Sequence, residues 1–149
     1  MIDDVQVIPL ESRVDDRGHL IELVHSTDDF LPQFGQVYFV CSVTRKTIRA
    51  FHKHEILWDY FFISNGSAKF ALRDDRPQSA TYESMMTVVV GTHNPSLLVV
   101  PPGVFHGWMA LEDNTHLIST ASEVYNRDNP DEVRVPPDSW GYDWTVRGR

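Results

Sequence analysis

The chain has 149 residues, enough for one domain built around one core. Twenty-one Asp and Glu against 13 Lys and Arg leave a formal charge of −8, which argues against a nucleic-acid partner. Ten of the 13 basic residues are Arg, whose planar fork suits phosphate or carboxylate, so a small anionic ligand fits that composition.

Met1 to Asp4 has no basic stretch, and no apolar core follows it. No apolar run approaches the ~18 residues of a membrane span, so a cytoplasmic protein without a membrane partner is expected. Short apolar runs then alternate with turn residues. Strands are predicted at Val5–Leu10, His19–Val24, Gln36–Val43, Thr47–Phe51, Leu57–Ile63 and Ala68–Leu72. Further strands are predicted at Met86–Val90, Leu97–Val100, His106–Leu111 and His116–Ser119. Turn signals at Asp15–Gly18, Ser64–Gly66, Gly91–Pro95 and Pro101–Gly103 separate them. One helical turn is expected near Thr27–Phe30, capped by Ser26 or Thr27. Cys41, the single cysteine, excludes an internal disulfide and reads as a buried, inert thiol. Past Asn126 the chain is rich in Pro, Asp and Arg, yet Trp140, Tyr142 and Trp144 predict that it folds back onto the body. The reading is all-β, one domain over residues 1–149.

Among seven histidines, His52 and His54 stand out. Residues two apart on a strand share a face, so both imidazoles enter one cavity. Asp59 follows, and the turn at Asn65-Gly66 is expected to make a hairpin that returns it to the histidines. His106 comes just after the rigid Pro101-Pro-Gly103 turn. A plain hydrogen bond is the simplest reading of His54 and Asp59.

His52-x-His54-x4-Asp59-x6-Gly66, followed by Pro101-x-Gly103-x2-His106, resembles the two motifs of the cupin superfamily. That resemblance implies a jelly roll of two sheets and, in many cupins, a metal held by such a set. Here Asp stands where Glu is usual, and Ala110 where Asn often closes the second motif.

A narrower resemblance spans almost the whole chain. Asp16-Arg17-Gly18-x3-Glu22, Arg49-Ala-Phe-His52, Asp74-Asp-Arg76-Pro-Gln-Ser79-Ala-Thr81, Pro101-Pro-Gly103-Val-Phe-His106-Gly107, Ser122-Glu-Val-Tyr125 and Asp143-Trp144 occur in order. Together they resemble the dTDP-4-dehydrorhamnose 3,5-epimerase family. The resemblance implies a nucleotide-sugar epimerase or isomerase that moves a proton beside the carbonyl of a 4-keto-6-deoxysugar. It further implies work in cell-surface polysaccharide or deoxysugar biosynthesis, no required cofactor, and a homodimer. His52 then matches the catalytic base and Tyr125 the acid on the other face. Arg49 and His106 match substrate contacts. Arg17 and Glu22 match an N-terminal segment that reaches the nucleotide-sugar site, the Asp16-Arg17-Gly18 part serving a neighbouring subunit. Strict alternation would put Arg49 and His52 on opposite faces, so a bulge or a strand end is expected between them.

Two positions depart from the family pattern. Asp59 occupies the place of a lysine that stabilises the enolate oxygen, and Pro137 the place of an aspartate that pairs with the base, with Asp138 one residue away. Three readings accommodate this. The first is an epimerase or ketoisomerase without a cofactor, with His54 and Asp59 in the substrate pocket. The second is a metal-dependent cupin using His52, His54, Asp59 and His106. The third is a cupin that binds a sugar nucleotide without catalysis.

Overall fold

A computed structural model describes residues 1–148. In chain order the strands are β1 (Gln6–Pro9), β2 (Arg13–Asp15), β3 (Gly18–Leu20), β4 (Gln36–Ser42), β5 (Ile48–Lys53) and β6 (Asp59–Asn65). They continue with β7 (Ser67–Asp74), β8 (Met85–Gly91), β9 (Ser96–Val100), β10 (Val104–Ala110), β11 (Thr115–Ala121) and β12 (Val133–Arg134). One five-stranded sheet has the order β1-β9-β6-β11-β4 and the other β12-β5-β10-β7-β8, with β2 and β3 forming a separate ribbon. Every pairing is antiparallel. The two sheets face each other as a jelly roll.

Strand alternation sorts the side chains into layers. Phe61, Ile63, Phe70, Leu72, Leu98, Val104, Trp108 and Leu117 fill the space between the sheets. Tyr60 and Phe62 point the other way from β6, where Ile21, Leu23, Val24, Phe30 and Leu31 cover them. Phe51, Ala71 and Phe105, on the outside of the second sheet, lie beneath Val135, Tyr142 and Trp144. The tail therefore folds back as expected.

Four expectations are corrected. The strand foreseen over His19–Val24 ends at Leu20, because Ile21, Leu23 and Val24 leave it to pack on Tyr60 and Phe62. The helical turn expected near Thr27–Phe30 is a pair of tight turns instead, with Asp28 and Leu31 donating to the carbonyls of His25 and Asp28. Neither Ser26 nor Thr27 caps it; the Asp28 carboxylate accepts the His25 N–H at 2.7 Å. Cys41 is half-buried on β4 rather than enclosed. Asn65-Gly66 makes no hairpin within one sheet: β6 and β7 belong to different sheets, so the turn crosses the sandwich. Gly66, at φ +73°, takes a conformation an L side chain would resist. β2 and β12 are unforeseen, and a 3-10 turn occurs at Ser139–Gly141.

Candidate functional site

The site forms at one end of the sandwich, where inward positions of both sheets meet. β10 contributes His106, paired in register with His52 of β5, while Asp59 opens β6 on the opposite sheet. Asp59 thus reaches the histidines from across the core. His54 lies just past β5, its carbonyl accepting the Gly103 N–H at 2.7 Å, so the Pro-Pro-Gly turn pins it. The His52 and His106 rings are 4.2 Å apart between centroids, and Phe61 lies under His106 at 5.4 Å. One donor atom from each of His52, His54, Asp59 and His106 falls within 4.8 Å of every other.

Of the two breaks expected between Arg49 and His52, the chain uses a bulge. His106 pairs with His52 but Trp108 pairs with Arg49, so three residues on β5 span two on β10. Arg49 is thereby turned to the face of His52, and both line a cavity of about 450 Å³. A second cavity of about 400 Å³, lined by His52, His54, Asp59 and Tyr125, meets the first along Tyr38, His52, Glu132 and Arg134. Tyr125 sits exposed at the rim, its N–H donating to Gln36 Oε1 at 3.0 Å. His52 is thus shared by a chamber holding Arg49 and one holding Tyr125.

Arg17 and Glu22 line neither cavity. Arg17 pairs with Asp15 on the β2–β3 ribbon, and Glu22 faces Arg13 and His25. Asp138 is exposed at the head of the 3-10 turn and also lines neither cavity. The carboxylate that borders both chambers with His52 is Glu132, bonded to Arg134 at 3.0 Å.

Burial drives the His52 pKa down to about 2, helped by His106, His54 and Arg134, so the ring stays neutral. Burial also pushes the Tyr38 phenol up to about 12, with the Asp59 charge adding to it, so it remains a donor. Asp131 braces the loop after β5: its carboxylate accepts the N–H groups of Glu55, Ile56 and Leu57 at 2.8–3.0 Å, and its carbonyl meets His54 Nδ1. Tyr38, Asp131, Glu132 and Arg134 escaped the sequence reading. Only the alternation of Glu132 and Arg134 around Val133 hints at a strand, and two residues are too few to recognise.

A family model described as dTDP-4-dehydrorhamnose 3,5-epimerase matches residues 1–148. The spore coat polysaccharide biosynthesis protein SpsL of Bacillus subtilis (strain 168) is 38% identical over 152 residues, covering 100% of both chains. The probable low-salt glycan biosynthesis epimerase Agl13 of Haloferax volcanii is 33% identical over 139 residues, 92% of this chain and 89% of that one. Among solved structures, NovW, a 4-keto-6-deoxy sugar epimerase from Streptomyces spheroides, superposes with a TM-score of 0.85 at 24% identity. That match covers 97% of this chain and 76% of NovW, and shows the same fold.

Proposed function

The chain belongs to the dTDP-4-dehydrorhamnose 3,5-epimerase family, and from that premise we propose that it epimerises or isomerises a nucleotide-linked 4-keto-6-deoxysugar. The observation that carries the reading is His52 placed between a chamber with Arg49 and one with Tyr125. Abstraction of the proton beside a ketone needs a base that is unprotonated before the step. His52 takes that proton, and the C–H electron pair moves into the enolate while the charge develops on the carbonyl oxygen. Arg49 contacts that oxygen or the diphosphate. Tyr125 returns a proton to the same carbon from the opposite side, which inverts it. His54, Asp59 and His106 complete the substrate pocket.

Proton transfer of this kind needs side chains alone, and epimerases of this type act without a cofactor. Among the described residues, no helix is long and apolar enough to cross a membrane. A cytoplasmic role in making polysaccharide precursors fits the names of the relatives, SpsL and Agl13. A homodimer fits the ribbon of β2 and β3, which carries Arg17 away from its own cavities. Arg17 and Glu22 then serve the site of a second copy.

Incubation with a dTDP-4-keto-6-deoxyhexose in heavy water tests the reaction. Deuterium is expected at C3 or C5, with a new isomer visible by NMR, and His52→Asn is expected to slow exchange by about 10²- to 10⁴-fold. Absence of both exchange and a new isomer in the wild-type protein would refute catalysis on this substrate.

A further inference from the structure

Register partners in an antiparallel pair project to the same face of the sheet. Phe61, Ser119 and Tyr38 therefore form one row across β6, β11 and β4. His106, His52 and Arg134 form a second row across β10, β5 and β12 of the other sheet. Phe61 meets His106 at 5.4 Å between ring centroids, so the inner ends of the two rows lie against each other. The outer ends are Tyr38 and Arg134, on the edge strands β4 and β12, and both border both chambers. Tyr38 is 39% exposed and the Arg134 side chain 76%, so a ligand entering beside His52 reaches both.

Removal of a proton beside a ketone puts negative charge on the oxygen of the neighbouring carbon, and that oxygen needs donors or a cation in place beforehand. Asp59 and Glu132 are carboxylates, of the wrong sign for this task. Arg49 borders only the first chamber, and Arg134 is the single Lys or Arg bordering the Tyr125 chamber. Among the described residues its only ion-pair partner is Glu132, which takes Nη2 at 3.0 Å and leaves the rest of the guanidinium fork for a ligand. The Tyr38 phenol, pushed up to about 12 mainly by burial and further by the Asp59 charge, keeps its hydrogen and can donate it. Ser119, next in the row, has a fully buried Oγ without a hydrogen-bond partner, a donor left for the phenol oxygen beside it. We propose that Tyr38 and Arg134 together hold the substrate's carbonyl oxygen and stabilise the enolate, as further catalytic residues. This assignment rests on the proton-transfer reading and deepens it, leaving Arg49 to the diphosphate. No proton leaves Tyr38 or Arg134. The C–H proton goes to His52, its electron pair is held as the enolate, and the pair returns to carbon when Tyr125 protonates it.

Turnover of a dTDP-4-keto-6-deoxyhexose is compared in the wild type, Tyr38→Phe, Arg134→Met and Arg134→Lys, with circular dichroism confirming that each variant folds. Tyr38→Phe and Arg134→Met should each lower kcat by about 10²- to 10³-fold and leave KM within about 3-fold, while Arg134→Lys recovers part of the loss. A second readout needs no turnover. In His52→Asn protein, the carbonyl stretch of the bound ketosugar is followed by isotope-edited infrared spectroscopy. It should lie below that of the ketone in water and move back up when Tyr38→Phe or Arg134→Met is added. Wild-type kcat in folded Tyr38→Phe protein overturns the proposal, as does a carbonyl band that both added variants leave in place. A loss confined to KM, with equally weakened binding of dTDP alone, also overturns it by placing these residues on the nucleotide. A lowered band that Tyr38→Phe restores, in a protein whose wild type exchanges no deuterium, upholds the oxygen site and defeats only the reaction. Deuterium exchange by the wild type and by Tyr38→Phe at equal rates does the reverse.

Discussion

Asp74 has no exposed surface, and burial alone would favour its neutral form. Hydrogen bonds from Arg76, Ser79 and Thr81, at 2.6–2.9 Å from their side chains, outweigh burial and hold it well below the ordinary 3.8. Arg76 also grips Asp4 and the Asp3 carbonyl, so the cluster ties the start of the chain to the end of β7. A carboxylate with a lowered native pKa adds stability above its unfolded pKa and loses it progressively as pH falls from there through the lowered native value. Wild-type melting temperature should therefore drop below about pH 4, while Asp74→Asn loses roughly 2–3 kcal/mol at neutral pH and shows a shallower acid limb. Equal acid limbs in the two proteins would exclude Asp74 as the titrating group. His52 and His54 were legible as a pair because they follow a short local pattern. Asp131 was not, since the three N–H groups it collects lie about 75 residues away along the chain.

At the level of strands, the bulge between Arg49 and His52 decides what the site contains. It lies over Gly107, where a Cβ would come within 2.6 Å of Ala50 Cα and 2.8 Å of the Arg49 carbonyl oxygen. Gly107→Ala should push β5 outward, cost roughly 1–3 kcal/mol in urea unfolding, and weaken substrate binding through a displaced Arg49. Unchanged stability and KM would show that the bulge has room to spare. An odd spacing between two residues required on one face made this feature legible before any coordinates. The jelly roll was readable in the same way, from short strands punctuated by turns. The destination of the Asn65-Gly66 turn was not, because a two-residue link looks alike whether it stays in one sheet or passes to the next. β12 was hidden by its length: its two residues acquire a strand geometry only by pairing with Lys53 and His52.

Across the whole molecule, polar and apolar surfaces are unevenly finished. β4 forms an edge of its sheet and exposes Val37 and Phe39, while the β2–β3 ribbon exposes Val14 and Leu20 around Arg17. Unpaired edges with large apolar side chains suit association with a second copy. Sedimentation should give twice the 17.1 kDa chain mass, and Arg17→Ala should weaken substrate binding roughly tenfold without altering the dimer. A monomer in solution, or unchanged binding in Arg17→Ala, would remove Arg17 from the site. The placement of Asp59 on one sheet and the histidines on or beside the other has a mechanical consequence. Any molecule gripped by both sets acts as a rivet through the sandwich, so its binding free energy is added to the docking of the two sheets. Occupancy then slows hydrogen exchange deep in β6 and β10 together, far from the point of contact. A loosened site would in turn be felt as a sandwich that breathes.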